Sequence, residues 1–197
     1  MTALPPKHQL RDAWAAAHAP VPGVPRWARI AAYAIPFTVL PSSLWRIAGC
    51  TFHLRIATGD QGTGQIPSWL PGEVYVVLLS ILSELLAFTA VGLISQWGEV
   101  FPRWLPGLRG RRVPTAGAVV PAFVGATVLI VMWTGALVTV SVGQDVHGRP
   151  LAADFPLNFD GWRGLLAVAA YAPLVLWGPL LAAVTIAYWT RRTRGRS

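Results

Sequence analysis

Glu84 is the residue of this sequence whose type and position most clearly require a chemical explanation. It lies near the middle of the apolar run Val74–Ile94, which holds no other charged residue. A charge at the centre of a helix in lipid costs roughly 2.5–3.5 kcal/mol on insertion scales, whereas each Leu, Ile, Val or Phe returns about 0.3–0.6 kcal/mol. Because the run has thirteen such apolar residues, we expect it to insert with Glu84 facing protein rather than lipid.

Arg46 is the basic residue best placed to meet Glu84. It lies near the end of the preceding apolar segment, so two consecutive antiparallel helices would bring both groups into the outer half of a bundle. Two interpretations of this intramembrane polar pair remain open. One is a proton or substrate relay, and the other is a buried pair, or a neutral hydrogen-bonded Glu84, that fixes the register of the helices. If the boundary of a span lies elsewhere, the two groups do not form an intramembrane pair at all.

The sequence holds none of the usual constellations for intramembrane catalysis. There is no G-x-S-x-G with a matching His, no aspartate-rich prenyl-diphosphate box, no H-E-x-x-H and no P-loop. The lone Cys50 excludes an intrachain disulfide and a multi-cysteine metal site. We therefore assign no catalytic residue, no metal site and no cofactor. Several His and Asp residues lie between the first and second apolar runs or between the third and fourth, and their spacings fit no known pattern of metal ligands: His53, Asp60, Asp145, His147, Asp154 and Asp160.

Four apolar runs provide the elements that must position these residues. Charged residues make up 12% of the chain and the mean hydropathy is +0.50, so the chain is more apolar than ordinary globular domains. The predicted spans are 27–49, 74–95, 116–142 and 164–189, within a transmembrane domain at 27–190. A cytoplasmic tail at 1–26 precedes them and a basic tail at 191–197 follows them. The sequence therefore predicts an all-α fold, an integral membrane four-helix bundle.

The distribution of basic residues predicts which side of the membrane each loop faces. Of the sixteen Lys and Arg residues, twelve lie in or next to the N-terminal tail, the C-terminal tail and the turn Trp97–Pro114, which we call the central turn, and four lie in or next to the alternate loops. By the positive-inside rule, both termini and the central turn face the cytoplasm. Because the basic residues flank apolar runs, their expected partners are anionic lipid headgroups on the cytoplasmic side rather than nucleic acid.

The first span carries two prolines, Pro36 and Pro41, each of which removes an intrahelical hydrogen bond. Lipid tolerates the freed carbonyls only where neighbours or hydroxyls satisfy them. We expect Thr38, Ser42 and Ser43 to help in this way.

The stretch Trp97–Pro114, WGEVFPRWLPGLRGRRVP, is a basic, proline-broken turn between the second and third spans. We interpret it as an interfacial turn in which aromatic side chains anchor at headgroup depth and each arginine gains about 1 kcal/mol from anionic lipid. A docking site for a partner or a phosphate-bearing ligand is the alternative. The residues concerned are Trp97, Arg103, Trp104, Arg109, Arg111 and Arg112.

Gly117, Pro121 and Gly125 recur at four-residue spacing in the third span, with an alanine after each. Small residues on one face let another helix approach closely. We therefore predict that these three residues form a helix-packing face.

The central turn and its flanking spans resemble a stretch in poorly characterised polytopic integral membrane proteins of actinobacteria. In those proteins W-G-E, P-R-W-x-P and G-R-R-V-P follow one another between two spans, and the resemblance covers roughly residues 74–126. It implies a multi-pass protein of a bacterial plasma membrane and supplies no activity.

Three classes of function are compatible with these features. The leading hypothesis is a non-enzymatic membrane component that packs with itself, as a homo-oligomer, or with a membrane-protein partner. A small transporter or channel protomer that uses Glu84 and Arg46 is the alternative. An intramembrane enzyme acting on lipid or isoprenoid substrates has the least support, because no set of nucleophile, base and metal is visible.

Overall fold

The computed structural model describes residues 21–50, 70–100, 111–144, 150 and 161–194. These ranges contain helices and two isolated β-bridges but no strand, so the predicted all-α class is confirmed. The helices are α1 (Arg26–Cys50), α2 (Gly72–Gly92), a 3₁₀ turn (Gln96–Gly98), α3 (Thr115–Ser141), α4 (Gly161–Tyr171) and α5 (Leu174–Arg194).

Three helical segments are long and apolar enough to cross a membrane: Gly72–Gly92, Thr115–Ser141 and Gly164–Arg194, the last of which combines α4 and α5. The interruption between α4 and α5 lies at Pro173, which has no N–H to continue the helical ladder. The first predicted span, α1, is less apolar because three arginines and three Ser or Thr residues fall within its 25 residues. It is about 37 Å long at about 1.5 Å per residue, and it packs against α2 and α5.

α1 continues through both of its prolines. Thr38 Oγ1 donates to Ile35 O at 2.7 Å, and Ser42 Oγ donates to Val39 O at 2.8 Å. A proline frees the carbonyl four residues earlier, so these hydroxyls bond neighbouring carbonyls rather than the freed ones. Ser43, the third residue expected to help, instead faces α2.

α5 is the central helix, since it packs against α1 and α3 and, over a shorter length, against α2. It approaches α3 closely at Gly178, where an added Cβ would lie 2.8 Å from Ile130 N and 3.0 Å from Ala126 O. A glycine is therefore required there. The core is aliphatic and aromatic, and it includes Ile35, Val39, Val91, Ile94, Leu174, Trp177, Val184 and Tyr188.

Both ends of the described chain meet the central turn at one end of the bundle. Val21 N, ahead of α1, donates to Ile94 O at 2.9 Å. Arg191, in the last turn of α5, donates to Leu93 O at 3.4 Å. This common end is what an even number of spans requires, while its placement on the cytoplasmic side stays a prediction.

Candidate functional site

The structure places Glu84 against α1, on the side where that helix carries Ser43 and Arg46. The Ser43 hydroxyl and the Arg46 guanidinium are the polar groups of α1 that lie close enough to interact with the Glu84 carboxyl, the first as a hydrogen-bond donor and the second through its charge. Ser43 is buried, and Glu84 and Arg46 are half-buried. We call these three residues the α1–α2 polar cluster. Sequence reasoning paired Glu84 with Arg46 but assigned Ser43 to the backbone of its own helix.

The polar cluster holds three buried atoms that lack a well-formed hydrogen bond: Ser43 Oγ, Arg46 Nε and Glu84 Oε1. Among the described residues, the close ion pairs of Glu and Arg are at Glu99, so Arg46 and Glu84 face each other without direct contact. Leaving a buried donor or acceptor unpaired costs about 1–3 kcal/mol. A buried water can satisfy such donors and acceptors, and the Glu84 carboxyl can also take up a proton. The cluster therefore has the chemistry of a relay and also that of a contact that fixes helix register.

A second group of charged side chains lies where the central turn meets the end of α5. Glu99 follows the 3₁₀ turn, and its Oε1 accepts a hydrogen bond from Arg191 Nη2 at 2.6 Å. Its Oε2 lies 3.8 Å from Arg192 Nη1. The Arg191 and Glu99 side chains are only 13% and 21% exposed, so solvent screens their attraction less than it would on an open surface. We call Glu99, Arg191 and Arg192 the Glu99 clamp.

The Glu99 clamp also ties down the start of α3. Arg192 Nη2 donates to Val113 O at 2.7 Å, and Val113 N donates to Glu99 O at 2.9 Å. Beneath the arginines lies the ring of Tyr188, whose centroid is 5.5 Å from the guanidinium carbon of Arg191 and 5.7 Å from that of Arg192. These distances are within the range of a cation–π attraction. The clamp thus fixes the central turn, α3 and α5 to one another.

Two glycines make room for the W-G-E sequence. Trp97 stacks on Phe88 with ring centroids 6.1 Å apart, and its ring also covers Gly92, where a Cβ would come within 2.8 Å of it. A Cβ at Gly98 would overlap the carbonyl oxygen of Gly92. Because both residues are glycines and carry no side chain, the chain can fold back tightly after α2 and bring Glu99 to α5.

The residues predicted to contact lipid headgroups differ in their exposure. Arg111 and Arg112 are exposed, whereas Trp97 is half-buried against α2. Contact of these residues with lipid stays a prediction, and Arg103, Trp104 and Arg109 lie outside the described residues. Sequence reasoning missed the Glu99 clamp. The available signal was that Glu99 is the single acid in the basic stretch from Trp97 to Pro114.

The predicted packing face of α3 has two kinds of surroundings. Ala122 and Ala126 turn toward α5, while Gly117 and Pro121 are exposed. Pro121 and the half-buried Gly125 border an open groove between α2 and α3. We call it the α2–α3 groove, and its lining includes Leu86, Ala90, Pro121, Gly125, Trp177 and Leu181.

The histidines and aspartates of the predicted outer loops, from His53 to Asp160, lie outside the described residues. Within the ranges that the structure describes, no three His, Cys, Asp or Glu side chains come together in the way that a metal site requires.

No protein-family model, no curated protein and no solved structure matches this chain. The polar cluster, the Glu99 clamp and the exposed helix faces are therefore the features that bear on function.

Proposed function

We propose that this chain is a non-enzymatic, multi-pass component of a bacterial plasma membrane that packs through α3 with a second copy of itself or with another membrane protein. The observation that carries the proposal is the exposure of α3. This helix has 27 residues and no charge, yet Ala126 is its one buried residue and α5 is the helix on which it mainly packs.

The residues that α3 leaves open favour a protein partner as well as lipid. Gly117 is small and exposed, which lets a second helix approach closely. The face beside Gly117 is broad and apolar, with Val120, Val124 and Val131 all more than half exposed. Because the Glu99 clamp holds the start of α3 on α5, this face is presented in a fixed orientation.

Cysteine cross-linking in native membranes tests the proposal. In a Cys50→Ser background, we expect Val124→Cys or Val131→Cys to give a disulfide-linked dimer, or a larger product with one defined protein, under mild oxidation. The matched control is Ile30→Cys, which is 70% exposed and lies on α1, a helix that packs against α2, α4 and α5 rather than α3. Equal cross-linking from α1 and α3, or none from α3, would contradict a specific interface on α3.

A small transporter or channel protomer is the second candidate, because the polar cluster leaves buried polar atoms open to a transported proton or ion. Purified protein in vesicles that contain a pH-sensitive dye should then carry a proton current that Glu84→Gln abolishes. Ser83→Ala is the control, since the Ser83 hydroxyl bonds only its own helix at Leu79 O. Vesicles no leakier than empty ones, tested with protons and with alkali cations, would rule this candidate out.

A further inference from the structure

The α2–α3 groove is apolar along its length and has basic side chains near one end. α2 and α3 hardly touch each other, so a channel open to the surroundings runs between them, with Trp177 and Leu181 of α5 as its floor. Apart from Trp97 and Gly98, its lining comes from segments apolar enough to span a membrane, and insertion of those segments would place the groove at the depth of lipid acyl chains. Trp97 and Gly98 close the groove at the end where the central turn begins.

Two exposed arginines lie beside that closed end. An antiparallel bridge pairs Arg112 with Val100, two residues after Gly98, and Arg111 is its neighbour in the chain. α3 begins directly afterwards, with Pro114 as a cap that makes no side-chain hydrogen bond to the first amides of the helix. A helix start of this kind adds partial positive charge to that of the arginines.

Among the described residues, no acidic side chain near this basic end of the groove is available to pair with Arg111 or Arg112. Glu99 is the described acid at this end of the bundle, and its two carboxylate oxygens are engaged by Arg191 and Arg192. The side chains of Arg111 and Arg112 are exposed and form no ion pair with a described residue. They are therefore free to meet an anion from outside the chain.

We propose that the α2–α3 groove binds one acyl chain of an anionic phospholipid, with the lipid phosphate held by Arg111 and Arg112. Charge complementarity favours this occupant over a partner helix, because an apolar helix in the groove would leave both arginines without an anion. Basic pockets between membrane helices on the cytoplasmic side are a recurring form of anionic lipid site. The inference rests on the membrane placement given under the proposed function, but it does not depend on packing through α3.

Native mass spectrometry of the detergent-solubilised chain tests the headgroup contact. With dioleoyl-phosphatidylglycerol and dioleoyl-phosphatidylcholine in equal amounts, one phosphatidylglycerol should be retained preferentially. Arg112→Gln should weaken its retention roughly fivefold, and the double variant with Arg111→Gln roughly thirtyfold. Arg26→Gln is the charge-matched control, because Arg26 is exposed at the same end but lies on α1. It should change retention less than about twofold.

A second pair of variants tests whether an acyl chain occupies the groove. Gly125→Leu places a side chain in the groove and should cause loss of the retained lipid. Gly135→Leu adds the same side chain to the same helix, where a Cβ would meet nothing within 4 Å, and should leave the lipid in place.

Several results would overturn the proposal: equal retention of the two lipids, equal effects of Arg112→Gln and Arg26→Gln, or displacement of the lipid by millimolar inorganic phosphate. A disulfide between two copies carrying Gly125→Cys would assign the groove to a second protein chain instead. Because the cross-linking positions Val124 and Val131 lie outside the groove lining, failure of lipid binding and failure of packing through α3 can be told apart.

Discussion

At the scale of single residues, the unusual feature is that Ser43, Arg46 and Glu84 face one another without completing their hydrogen bonds. A carboxyl can neutralise itself by taking a proton, whereas an arginine cannot lose its charge in a protein. The two partners are therefore not equivalent. Removing Glu84 leaves the Arg46 charge without its partner inside the bundle, unless the long Arg46 side chain reaches outward to the headgroups.

A double-mutant cycle measures whether Arg46 and Glu84 stabilise each other. We expect Glu84→Gln to be milder than Glu84→Leu, and Arg46→Leu with Glu84→Leu to cost less than the sum of the single changes by about 0.5–1 kcal/mol. Unfolding in detergent gives the free energies. Arg46→Leu with Ser83→Ala is the control and should be additive. Additive losses for Arg46 and Glu84 would mean that their side chains do not interact.

Gly178 offers a second residue-scale prediction. Gly178→Ala pushes a Cβ against Ile130 N and Ala126 O of α3, so we expect a loss of about 1–3 kcal/mol in the free energy of unfolding. Gly135→Ala has open space around its Cβ and should be neutral or slightly stabilising, because alanine favours helix over glycine. Equal effects of the two changes would contradict the close approach of α3 and α5.

At the scale of elements, the Glu99 clamp joins parts of the chain that are far apart in sequence. Glu99→Gln removes the charge that Arg191 and Arg192 share, and we expect a loss of about 1–3 kcal/mol together with faster hydrogen exchange at the Val113 amide. Arg26→Gln changes an exposed charge at the same end of the bundle and should stay within about 0.5 kcal/mol of the wild type. Unchanged exchange at Val113 in Glu99→Gln would show that the clamp does not hold the start of α3.

The sequence could predict the features that depend on residues close together in the chain. The long apolar runs predicted an all-α fold, because twenty or so consecutive apolar residues have few alternatives to a helix in lipid. Glu84 stood out because a charge within such a run is costly. The Glu99 clamp was missed, because 92 residues separate Glu99 from Arg191 and no local pattern joins them. The glycine at the α3–α5 crossing was missed for the same reason, since Gly178 lies outside the small-residue row of α3.

At the scale of the whole molecule, the arrangement of the basic residues predicts a single orientation in the membrane. Arg26, Arg112 and Arg191 lie on different segments, and all three occupy the end of the bundle where the N-terminal segment meets the central turn. Each basic residue placed on the cytoplasmic side favours that orientation during insertion. We therefore expect reporter fusions before Met1, after Ser197 and within 107–110 to report the cytoplasm.

Fusions near Gly62 and Gly148 should report the outside of the cell, because a four-span chain with cytoplasmic termini has its first and third loops on the outer side. The fusion before Met1 is the decisive one for α1, the least apolar of the four. If α1 did not cross the membrane, the N-terminus would lie on the same side as Gly62, and the contact between Val21 and Ile94 would be broken. A cytoplasmic signal at Gly148 would instead remove α3 from the membrane, which its 27 uncharged residues make the least expected result.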